Sequence, residues 1–162
     1  MINTQIEYDK DFYHWLMKNA ALLRAKRFSE MDVENVAEEL ESRGKRDKRQ
    51  LISRLIVLLT HLLKWEFQPE KRSGSWRASI REQRKRIGLL LDDSPSLRTS
   101  IEEKKNEVYE TALFIAADET GIDDESFPKT CTYRVEQMLD NEFYPDDYSN
   151  GFEAKVFSLK KF

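Results

Sequence analysis

Residues 51–67, LISRLIVLLTHLLKWEF, limit the fold of this chain more than any other stretch. Nine of the thirteen residues from Leu51 to Leu63 are large aliphatics. The four exceptions, Ser53, Arg54, Thr60 and His61, form two pairs seven residues apart. Seven residues make two helical turns, so the spacing predicts a helix with a broad apolar face and one narrow polar stripe, which Lys64 extends. A helix that is apolar over most of its circumference has to be covered by other helices. Only five Gly and four Pro among 162 residues argue against a loop-rich or all-β chain. The expected fold is all-α: an irregular bundle of five or six helices around a central helix at about 46–67.

The same run is too short for a membrane span, which needs roughly 20 apolar residues, and Arg54 and His61 interrupt it. The first thirty residues show no basic start followed by an apolar run, so no signal peptide is expected. One cysteine, Cys131, rules out an intrachain disulfide and suits a reducing compartment. A cytoplasmic protein is expected, with a single helical domain over 1–145 and an irregular C-terminal arm over 146–162.

Around the central helix, apolar spacing and capping residues mark the others. Phe12, Trp15, Leu16, Leu22 and Leu23 predict a first helix from about Asp9 to Lys26. Asp32 is the expected N-cap of a second, which carries the acidic stripe Glu34, Glu38 and Glu41. Gly44 is expected to stop or bend that helix, because Gly is a common residue just past a helix end. An unbroken helix from Val33 to Phe67 would measure about 50 Å, long for a compact domain. Pro69 closes the central helix. Ser73 or Ser75 caps a fourth, with Trp76, Ile80, Ile87, Leu90 and Leu91 inward and Arg77, Arg81 and Arg84 as a separate cationic stripe. Ser94–Pro95 opens a fifth and Gly121 closes it. Thr132 is the expected cap of a short last helix through Val135, Met138 and Leu139.

Charge is strongly partitioned. Residues 43–86 carry +10, residues 1–42 carry −4 and residues 87–162 carry −9. Phosphate-loop, dinucleotide, CxxC and HExxH patterns are all missing. Two His and one Cys cannot build an ordinary structural zinc site. Neither His14 nor His61 completes a Glu-x-x-His pair, since Asp11 and Leu58 stand three residues before them. Even if the chain reversed at Gly44, Glu38 would lie about 16 Å from His61 along the axis, so Glu38, Glu41 and His61 are not expected to share a site. No metal, cofactor or catalytic residue is therefore expected.

The cations offer the one buildable constellation. An antiparallel turn near residue 70 would bring His61 and Lys64 towards Arg77 and Arg81, with Lys71, Arg72, Ser73 and Ser75 at a helix start and Arg84 further along. Helix-start N–H groups and guanidinium forks suit an anion. The bland reading is that these cations pair with the acidic helices. The expected function is a non-enzymatic binding or adaptor module working through an unidentified protein partner. The alternative is nucleic-acid or phosphate-ligand binding through segment 43–86.

Several strings occur here in a distinctive order: DFYHWL, AALLRAKRFSEMDVENVAEELESRG, LLTHLLKWEFQPEKRSGSWRASIREQRKRI, DDSPSLR, ADETG, FPKTC and YRVEQML. Over about residues 8–145 they resemble the small bacterial family known as domain of unknown function 29. That family usually has Cys-Pro-Tyr where this chain has Cys131-Thr132-Tyr133. The resemblance implies an all-helical fold. It implies no activity and transfers no catalytic residue.

Overall fold

The computed structural model describes residues 4–146. Beyond Asp146, the expected C-terminal arm lies outside the described residues. The fold is all-α: six helices, α1 (Thr4–Lys10), α2 (Phe12–Arg24), α3 (Val33–Phe67), α4 (Gly74–Asp93), α5 (Arg98–Thr120) and α6 (Val135–Leu139), and no strand among the described residues. The chain forms two compact units that meet within α3, Met1–Asp47 and Lys48–Phe162.

Of the stop or bend expected at Gly44, the stop does not occur. α3 runs unbroken for 35 residues. Gly costs only about 1 kcal/mol relative to Ala inside a helix, and its neighbours oppose that cost. Arg43 pairs with Asp47 at 3.3 Å and Glu41 with Lys45 at 4.0 Å, both across one turn and both bracketing Gly44. The expected single first helix is instead divided at Asp11. That residue caps α2, its carboxylate accepting the His14 backbone N–H at 3.0 Å. Likewise Arg134, not Thr132, precedes α6, its backbone N–H donating to Gln137 Oε1 at 2.9 Å.

In the C-terminal unit the second half of α3 is the core. Leu51, Leu55, Leu58, Leu59, Leu62 and Leu63 are all buried, against Ile80 and Ile87 of α4, Ile101, Val108, Tyr109, Ala112 and Ala116 of α5, and Val135 and Met138 of α6. The polar stripe is only partly exposed. Thr60 is buried and its hydroxyl donates to its own helix at Ile56 O, 2.8 Å, with Ala112 O of α5 3.5 Å away. Gly121 ends α5 with φ +71, the left-handed geometry expected of a helix-terminating glycine.

The N-terminal unit is organised by a polar knot. Trp15 is buried and its indole N–H donates to Asp32 at 2.9 Å. Asn35 Nδ2 donates to the same carboxylate oxygen at 2.8 Å. Buried Asn19 donates to Trp15 O at 3.0 Å and accepts the Asp32 N–H at 2.9 Å. Partial burial pushes the Asp32 carboxyl up. The hydrogen bonds from the Asn35 side chain, Trp15 and the Asn35 backbone N–H outweigh it and hold the group below its ordinary value. Asp32 is thus the N-cap of α3 and a strut to α2. Tyr8 and Phe12 pack around Trp15, with ring centroids at 4.8 and 5.8 Å.

Candidate functional site

The expected anion site is dispersed. Lys64 is buried, ion-paired with Glu119 at 2.6 Å, and lies 4.7 Å from the Trp76 ring centre. His61 Nδ1 lies 2.8 Å from Val57 O of its own helix. Arg72 donates to Trp65 O at 2.8 Å and stacks on the Trp65 ring. Ser73 caps α4, accepting the Trp76 N–H at 3.2 Å. Lys71 and Ser75 are exposed at the turn. Arg84 is only 4% exposed. Its Nε donates to Met138 O at 2.8 Å and one terminal nitrogen to Gln137 O at 3.3 Å, so it fastens α6 to α4. Burial lowers its pKa, against the opposing pull of Tyr144 and Asp140.

Arg77 and Arg81 remain together, and Lys85 joins them at the next i+4 position. These three exposed cations line one wall of a cleft of about 850 Å³ whose other wall holds Asn141, Glu142 and Tyr144. Arg77 lies 5.5 Å from the Trp65 ring centre and 5.6 Å from that of Tyr144.

A second concavity escaped the sequence reading. In the N-terminal unit, α2 and the first half of α3 enclose a groove of about 400 Å³. Phe12, Leu16, Leu23, Met31, Val36 and Leu40 line it, with Arg43 and Arg46 among its polar residues. Phe12 is 43% exposed, Leu16 38%, Leu23 51% and Leu40 71%. Large side chains left that open at a concave surface mark an interaction site more often than chance. The groove's one carboxylate, Glu39, accepts the Tyr8 hydroxyl at 2.5 Å, and this bond, with burial and the charge of Glu39, pushes the phenol up to about 12. Arg46 has no carboxylate partner among the described residues.

Buried titratable groups also meet beside the core. Tyr133 donates to Glu66, whose carboxyl burial pushes up and this hydrogen bond pulls back. The Tyr109 hydroxyl donates to Pro128 O at 2.5 Å. This cluster ties the segment before α6 to α3 and α5. Among the described residues, no group of three His, Cys, Asp or Glu side chains could hold a metal ion, and no helix is long and apolar enough to cross a membrane.

The sequence matches the family described as Domain of unknown function DUF29 over residues 7–144. The chain belongs to the DUF29 family. No curated protein and no solved structure matches it. The DUF29 match spans both compact units, so the groove and the cleft both lie within the family region.

Proposed function

We propose that this chain is a non-enzymatic, cytoplasmic binding module that takes an amphipathic helical segment of a protein partner into the groove of its N-terminal unit. The observation that carries this reading is the apolar floor left open between α2 and α3, with Leu16, Leu23 and Leu40 all more than a third exposed. Val36 and Arg46, both in the lining, stand ten residues apart on α3, about 15 Å at 1.5 Å per residue. A helix of about ten residues has that length. Its apolar side chains at i, i+3 or i+4, and i+7 would fill the floor. Charge defines the rest of the ligand. Glu39 is engaged by Tyr8 and Arg46 has no carboxylate partner among the described residues, so the partner helix carries a carboxylate at its edge.

The probe is a designed amphipathic peptide of about 14 residues with a leucine face and flanking glutamates, read by fluorescence anisotropy. Binding in the micromolar range is expected, weakened about tenfold or more by Leu40→Glu. Arg46→Glu should weaken the glutamate peptide more than a lysine-flanked one. No binding at about 1 mM peptide, or equal binding by Leu40→Glu, overturns the reading. Self-association that Leu40→Glu abolishes, with no peptide binding, assigns the groove to a second copy instead.

A further inference from the structure

The cleft between α4 and the segment after α6 shares no lining residue with the N-terminal groove. The geometry points to a binding site there for a compact polyphosphate group, of the kind borne by a nucleoside di- or triphosphate or by inorganic triphosphate. Arg77, Arg81 and Lys85 repeat every fourth residue and share one face of α4. Eight residues of helix span about 12 Å, so the three cations reach over more than one phosphate.

None of the three has a carboxylate partner among the described residues, although acids are close by. Glu82 lines the same cleft but is paired with Arg86 at 2.9 Å. Arg77 is held in place without being neutralised. Two aromatic rings, Trp65 and Tyr144, lie within 5.6 Å of its guanidinium carbon, and its backbone N–H donates to Ser73 O within the helix while its guanidinium makes no hydrogen bond to the described residues. A guanidinium positioned through its π face keeps its in-plane N–H donors free, the geometry that phosphate oxygens accept bidentately. Asn141 on the facing wall supplies a neutral amide donor.

The surroundings select for a small ligand over a polymer. Glu142 stands on the facing wall, and residues 87–162 carry −9. A long nucleic acid leaving the cleft would meet that repulsion, whereas a di- or triphosphate fits inside about 850 Å³. The sign of Glu142 gives an internal test. Removing its charge should strengthen anion binding, an effect that a merely structural surface residue would not produce.

The experiment is calorimetric titration of the full chain at low salt with inorganic pyrophosphate, inorganic triphosphate, a nucleoside triphosphate and a single-stranded oligonucleotide. One-to-one binding of a di- or triphosphate is expected, weakened about tenfold or more by Arg81→Ala/Lys85→Ala and tightened severalfold by Glu142→Gln. Both substituted cations are exposed, so the double variant keeps its fold, which its circular dichroism checks. Preference for the nucleotide over inorganic triphosphate, or equal binding of both, identifies the source of the phosphates and supports the site either way. No binding, binding unchanged in the double variant, or binding of the oligonucleotide alone overturns it. The N-terminal groove plays no part, so Leu40→Glu leaves every one of these titrations unchanged.

Discussion

Asp32→Ala should loosen the N-terminal unit by about 2–4 kcal/mol, from two sources. The first is the N-cap of α3: losing an Asp cap costs about 1 kcal/mol. The second is the Trp15 indole N–H, which donates to Asp32 at 2.9 Å from a side chain only 1% exposed. A buried donor left without a partner costs about 1–3 kcal/mol. Both contributions pass through one carboxylate and do not add in full. The assay is hydrogen exchange of the α2 backbone amides, whose protection should fall by about 30- to several hundred-fold, since 1.4 kcal/mol is tenfold. pH gives a second, independent readout. The Asp32 carboxyl titrates lower in the folded chain than in the unfolded one, where its value is about 3.9. Its stabilisation is therefore complete above the unfolded value and is lost as pH falls through the folded one. The stability gap between the wild type and Asp32→Asn should stay level at neutral pH and shrink only below about pH 4. A loss under about 0.5 kcal/mol for Asp32→Ala, or a gap that ignores acid, would refute the strut and cap roles together.

Leu59→Ala should cost about 2–5 kcal/mol by urea unfolding, because Leu59 is wholly buried among α3, α4 and α5 side chains; a loss near zero would remove α3 from the centre of the fold. Gly44→Ala should raise stability by about 0.5–1 kcal/mol, since an added Cβ meets nothing within 4 Å and the backbone is already helical. Gly121→Ala, at φ +71, should instead lower it by about 1–2 kcal/mol. Thermal melts of the two glycine variants moving in the same direction would contradict the difference in their backbones.

The α3 core was legible because its pattern is one-sided: a run as apolar as Leu51–Leu63 has no stable arrangement except burial. The length of α3 was not, because Gly44 marks a helix end by residue type alone, while the Arg43–Asp47 and Glu41–Lys45 pairs that bracket it act against one. The i, i+4, i+7 spacing groups Arg77, Arg81 and Arg84 as one cationic stripe on α4, yet residue 84 stands four after Ile80 and three before Ile87, the spacing of the buried face. That spacing already placed Arg84 inward and left Lys85, four after Arg81, as the third exposed cation. Lys64 was harder to place, because its partner Glu119 lies 55 residues away and only the packing of α5 brings them together.

The groove shows where periodicity stops being informative. Phe12, Trp15, Leu16 and Leu23 make one apolar face of α2, and such a face reads the same whether a neighbour covers it or leaves it open. The structure splits it, burying Trp15 and exposing the rest. One residue in that stretch did carry the distinction. Asn19 sits four after Trp15 and three after Leu16, inside the apolar stripe, where an amide is expensive unless its hydrogen bonds are met. Here they are met, by Trp15 O and the Asp32 N–H. A satisfied amide there lets a single aromatic ring lock α2 to the start of α3. The lock needs only Trp15, Asn19, Asp32 and Asn35, which leaves Leu16, Leu23 and Leu40 free of structural duty. Substitutions at those three exposed positions should therefore change what the unit binds and leave its fold intact, whereas a change among the four polar-knot residues should loosen the fold and, with it, the groove that Trp15 and Asn19 help to line.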